Sequence, residues 1–149
     1  MRPTSRGHVR IASPDSKAPP KITPNYLSTQ EDRKVAADSL SLTRRIVSAP
    51  ALKKYGPEEF VPGPQFQTDA ELAFAAGNIG TTIFHPVGTC AMGRVTDPMA
   101  VVDAQMQVKG VKGLRVVDGS VMPLITSGTP NSPIIMIAER AAALIRGQR

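Results

Sequence analysis

A single cysteine, Cys90, stands in 149 residues, which excludes an internal disulfide and any cysteine-based metal cluster. No apolar run reaches the roughly 18 residues that a membrane-crossing helix needs. No apolar h-region follows the N-terminal charges, so a secretory signal is not expected, and a cytoplasmic setting is favoured over export. The Arg/Ser-rich start could be read as an organelle transit sequence, but Asp15 and an early strand pattern argue against it. Gly-x-Ser-x-Gly does not occur, so no nucleophile elbow supports a Ser/His/Asp hydrolase. No His pair or His/carboxylate spacing suggests a metal centre. Gly-x-Gly-x-x-Gly is missing too, so the chain has no dinucleotide fingerprint of its own.

What is present is globular in composition, with 41% apolar and 20% charged residues, well outside the disordered class. Nine of the 14 prolines fall within the first 64 residues, which predicts a loop-rich front half. The net charge of +6 is uneven: eleven Lys/Arg oppose four Asp/Glu through Lys54, and seven oppose eight after it. A basic front half could meet nucleic acid, an anionic membrane or an acidic partner. The basic residues are dispersed and no aromatics interleave with them, so a solvated surface is the better reading and no nucleic-acid partner is expected.

Along the chain, Val9 and Ile11 alternate with His8 and Arg10, the period of a half-buried strand with His8 on its polar face. Pro19 to Pro24 reads as an extended connector. Ser28-Thr-Gln-Glu31 has the form of a capping box and predicts a helix to about Ser48, with Val35, Ser39, Leu42, Ile46 and Val47 as its apolar stripe. Ala51 to Tyr55 adds one more turn, and Phe60 and Val61 are the expected buried anchors of the loop that follows. Thr68-Asp-Ala-Glu71 is a second capping box, opening a short helix to about Ala76. Thr81 to Phe84 reads as a strand delivering His85 to its end. Residues 101–103, 106–108 and 114–118 read as short strands between Lys-Gly turns. The last helix is the clearest: Pro133 suits its first turn, Asn131 or Ser132 its cap, and Gly147 its end.

Two stretches carry the candidate chemistry. The first is Phe84-His85-Pro-Val-Gly-Thr-Cys-Ala-Met-Gly93, and the second runs from Thr126 through Asn131-Ser-Pro133 to Arg140. Taken singly, each residue has an ordinary reading. His85 is a core histidine, Asn131 a helix cap, Asp118 a turn residue and Cys90 a small buried hydrophobe.

In combination these blocks, with Leu114-Arg-Val-Val-Asp118-x-Ser-x-Met-Pro123, Pro3-x-Ser-Arg-Gly-x-Val9, Asn25-Tyr-Leu27 and Pro50-Ala-Leu52, resemble the C-terminal portion of the glucose–methanol–choline (GMC) flavoprotein oxidoreductases. The likeness is nearest to the choline-dehydrogenase-like alcohol dehydrogenases of that family. It implies an α+β fold, with residues 1–98 in a substrate-binding domain and 99–149 returning to an FAD-binding domain. It implies FAD as cofactor and a small-molecule alcohol as substrate. By resemblance His85 assists removal of the hydroxyl proton, and Asn131 hydrogen-bonds the same oxygen. The backbone at Asp118-Gly119 and at Asn131-Ser132-Pro133 would contact FAD.

Gly119 departs from the alanine usual in the family, a change that loosens the backbone. The Gly-rich FAD-binding region of the family does not occur in this sequence. The expectation is therefore a fragment, a truncated product or one half of a split enzyme. Its function would be alcohol oxidation together with a missing N-terminal half or a partner chain. The alternatives are a catalytically silent remnant or a subunit that completes a partner's flavin site.

Overall fold

The structure, a computed structural model, describes residues 2–147 and divides them into two compact units, one of residues 3–82 and the other of residues 83–147 with Arg2. Its mixture of helices and a small antiparallel sheet is α+β, in agreement with the sequence expectation.

The first unit begins with a two-stranded antiparallel sheet, β1 (His8–Arg10) and β2 (Lys21–Thr23), in which Val9 opposes Ile22. The proline-flanked stretch read as a connector therefore supplies a strand. Gly7 is required at its margin, because a Cβ there would collide with the carbonyls of Thr23 and Pro24. His8 is exposed, but so are Val9 and Ile11, so the alternating pattern buries neither face within the described residues.

Helix α1 (Gln30–Val47) is capped by Thr29, whose hydroxyl accepts from the Asp32 backbone N–H at 3.2 Å. The cap thus falls one residue later than the Ser28 box, and the reason lies in the tertiary structure. The Asp32 carboxylate accepts the backbone N–H groups of Thr4 and Ser5, both at 2.8 Å, and the Ser5 hydroxyl accepts from the Ser28 N–H. The pattern also mistook the buried face. Ala37 is fully buried, whereas Val35, Leu42 and Ile46 are each more than half exposed.

Helix α1 packs on α3 (Asp69–Ile79) through small side chains, with Leu72 and Ala75 as the buried residues of α3. The Thr68–Glu71 capping box is present in full, and α3 continues through Gly77 to a cap at Gly80. Between them lie α2 (Pro50–Lys53) and a loop that Arg44 holds. The guanidinium donates to both Glu59 carboxylate oxygens at 2.9 and 2.7 Å, and to the carbonyls of Phe66 and Gly63. A charged fork replaces the expected apolar anchors, since Phe60 is 94% exposed and Val61 about half.

The second unit has one long helix, α4 (Asn131–Ile145), and a 3₁₀ turn at Gly119–Val121. The three expected strands between 101 and 118 contract to isolated bridges, Met92 with Val102, Val102 with Val108, and Gln107 with Arg115. Left-handed backbone at Met106, Gly110 and Gly113 turns the chain too often for a continuous ladder. Val102, Met106, Val121, Met122 and Ala141 are among the buried residues around which this unit closes.

Candidate functional site

His85 does not end a strand. Residues 81–84 are not part of a strand, and Phe84 adopts φ 61°, a left-handed turn that redirects the chain immediately before the histidine. Pro86 then confines His85 to extended backbone. The histidine is half-buried. Its segment is held from the other side: the Cys90 N–H donates to the Ser120 carbonyl at 3.0 Å, and the Met92 N–H to the Val121 carbonyl at 2.8 Å. Gly88, at φ 87°, lets the backbone pass the Met122 carbonyl, which would lie 3.4 Å from a Cβ there.

Asp118 caps the 3₁₀ turn. Its carboxylate accepts the Ser120 backbone N–H at 2.8 Å and the Ser120 hydroxyl at 2.5 Å. The side chain is therefore engaged with its own turn through Oδ1, which satisfies the ordinary reading of Asp118. Gly119 is where the segments converge. A Cβ at this position would sit 3.0 Å from Ile134 Cδ1 and 3.9 Å from the Pro86 carbonyl oxygen. The residue following His85, the residue following Asp118 and the first turn of α4 thus meet at one point.

Neither Asn131 nor Ser132 caps α4. Pro130 occupies the cap position with no side-chain hydrogen bond, Asn131 is the first helical residue, and both Asn131 and Ser132 are exposed. Proline has no side-chain acceptor to give, so the first N–H groups of α4 are uncapped by any side chain at that position. They carry the positive end of the helix dipole. Sequence reasoning missed Ile134 as the partner of Gly119, and Ser120 and Val121 as the carbonyl supports of the His85 segment. The glycine in place of the family's alanine was the one available signal for the former. The latter left none, because backbone carbonyls carry no residue signature.

An apolar groove of about 400 Å³ lies in the same unit, lined by Met92, Met106, Met122, Leu124, Met136 and Arg140 among others, and neither His85 nor Asn131 lines it. Among the described residues no cluster of three or more His, Cys, Asp or Glu could hold a metal ion. No described helix is long and apolar enough to cross a membrane.

The residues suit the ring end of a flavin better than its phosphates. The backbone next to His85 and the uncapped first turn of α4 converge on Gly119, the exposed Asn131 opens that helix, and the His85 side chain is half-buried. A Gly-rich pyrophosphate turn, by contrast, is not found in the sequence.

Comparison with known proteins bears on the family. A family model described as GMC oxidoreductase matches residues 3–138. An oxygen-dependent choline dehydrogenase of Klebsiella pneumoniae subsp. pneumoniae is 48% identical over 149 residues, covering all of this chain and 26% of that protein. Among solved structures, a pyridoxine 4-oxidase from Mesorbium loti superposes with TM-score 0.88 at 37% identity, over 99% of this chain and 28% of that one. An FAD-dependent oxidoreductase from Chaetomium thermophilum does so with TM-score 0.88 at 33% identity, over 99% and 25%. The chain therefore spans about a quarter of the length of the curated relatives it matches.

Proposed function

Because the chain belongs to the GMC oxidoreductase family, we propose that it forms the substrate-facing part of an FAD-dependent enzyme oxidising a small alcohol, with His85 as general base. Residues 1–98 are assigned to the substrate-binding domain and 99–149 to the FAD-binding domain. The remainder of the flavin site is supplied from outside this sequence. When bound, the flavin accepts the hydride that leaves the alcohol carbon.

The residues of the chain carry out the rest. His85 takes the hydroxyl proton on a ring nitrogen, acting as general base. Asn131 donates its amide N–H to the developing alkoxide and cannot compete for the proton. The start of α4 adds positive partial charge near the same place, and the backbone at Asp118, Gly119, Asn131, Ser132 and Pro133 would lie against the cofactor.

The observation that carries this reading is the convergence on Gly119. It joins the His85 segment to the first turn of α4, which begins at Asn131. A specific observation also favours a second role, that of a subunit completing a partner's flavin site: large apolar side chains such as Phe60, Phe84 and Met99 are at least four-fifths exposed. For either reading, the test restores the remaining three-quarters from a relative and follows anaerobic flavin reduction by an alcohol in a stopped-flow spectrometer. His85→Ala should slow reduction at least ~100-fold, the scale of lost general-base assistance. Asn131→Ala should cost roughly 2–4 kcal/mol of transition-state stabilisation. Wild-type rates in a folded, FAD-loaded His85→Ala enzyme would end the proposal.

A further inference from the structure

We infer that Asp118 is a positioning residue for His85, acting through the backbone of the 3₁₀ turn. The path is short and is made mainly of hydrogen bonds. The Asp118 carboxylate holds the N–H and hydroxyl of Ser120, which sets the conformation of Gly119–Val121. The carbonyls of Ser120 and Val121 are then aimed at the N–H groups of Cys90 and Met92. Those two bonds anchor the segment that begins at His85, and the Pro86 carbonyl oxygen, 3.9 Å from where a Gly119 Cβ would lie, brings the histidine's neighbour against the same turn.

The segment that follows His85 is thus tied to this turn by two backbone hydrogen bonds. A carboxylate suits the position because it accepts two bonds at once and binds a backbone N–H more strongly than a neutral group does. Asp118 itself is exposed and lies outside the proton transfer. Without its carboxylate the turn loses the acceptor for Ser120, and the two carbonyls lose their fixed direction.

The bearing on catalysis rests on His85 being the base. The positioning itself does not, and the following measurement involves no flavin. The full chain carrying Asp118→Ala is compared with wild type by amide hydrogen exchange and by the ring resonances of His85 in NMR. The Cys90 and Met92 amides should exchange at least ~10-fold faster, as expected for a local opening. The amides of Val108 and Lys109, bonded to Leu114 and Val101 in the same unit, should keep their protection. His85 ring resonances should shift in Asp118→Ala and return in Asp118→Asn, whose side-chain oxygen can still accept from Ser120.

Should Asp118→Ala not fold, Ser120→Ala decides. It removes only the hydroxyl bond and should accelerate Cys90 and Met92 a few-fold, with Val108 and Lys109 unchanged. The inference is overturned if Cys90, Met92 and the His85 ring are unaffected. It is overturned equally if protection falls uniformly across the unit, or if Asp118→Asn fails to restore it.

Discussion

Residues 3–82 and residues 83–147 hold their backbones by different means. The first unit relies on helices: α1 and α3 pack face to face, each opened by a threonine cap, with Ala37, Leu72 and Ala75 between them. The second relies on single backbone hydrogen bonds passed from one irregular segment to the next, from Cys90 to Ser120, Met92 to Val121, Val101 to Ala91 and Val116 to Met106. The candidate chemistry is confined to the second. Regular helices satisfy their own backbone and leave little of it for a ligand, whereas bent segments can present N–H groups and side chains at chosen points. A site formed by irregular backbone depends on its supports, which is why a turn such as Gly119–Val121 matters more than its length suggests.

The contrast can be tested by substitution, with the largest effect expected where packing dominates. Leu72→Ala removes a side chain that is 1% exposed, and should cost about 3 kcal/mol in chemical denaturation, as large-to-small changes in a core do. In the second unit Val102→Ala empties a fully buried position of a smaller side chain, and about 2 kcal/mol is expected from the two methyl groups lost. A larger loss for Val102 than for Leu72 would contradict the idea that backbone ties, rather than side-chain packing, carry that unit.

Asp32 sharpens the first half of the comparison through pH. Partial burial works to raise its pKa. Hydrogen bonds from the Ser5 side chain, the Thr4 and Ser5 N–H groups and the Thr4 hydroxyl outweigh that, and hold it at about 2, against an ordinary 3.8. A carboxylate depressed on folding contributes stability that is complete above its unfolded pKa and lost as pH falls toward the folded one. Unfolding midpoints should therefore drop between about pH 5 and pH 2, by an amount near 1–2 kcal/mol after allowance for solvent screening. In Asp32→Asn that part of the pH dependence should vanish, and an unchanged profile would show that the Thr4–Ser5 tie contributes nothing. The smallest effect is Thr68→Ala at the start of α3, about 1 kcal/mol for a lost cap. Amide exchange in the first turn of α3 would report it, and the second unit, which has no side-chain cap on its own long helix, offers no equivalent substitution.

Local chemistry was legible wherever a signal is confined to a few neighbouring residues. The Thr68–Glu71 box, the end of α4 at Gly147 and the turns at Gly110 and Gly113 all appear as read, because caps and positive φ are decided within four or five residues. The Ser28 box failed because Ser5 and Asp32, 27 residues apart, bond each other instead. The α1 stripe failed because α3 meets the alanine face rather than the branched one. The strands near 101–118 failed because β propensity without a paired neighbour yields only bridges.

By itself the sequence determined the family, the α+β class and the candidates His85 and Asn131, since ordered blocks of residue types survive any error in assigning elements. Only the tertiary structure decided how those candidates are supported. Phe84 turns left-handed where a strand was expected, Pro130 takes the cap in place of Asn131, and Gly119 is the point where Pro86 and Ile134 meet. The Gly119 contact depends on groups distant in sequence competing for one van der Waals volume. Such competition is settled by packing, and no window of neighbouring residues contains it.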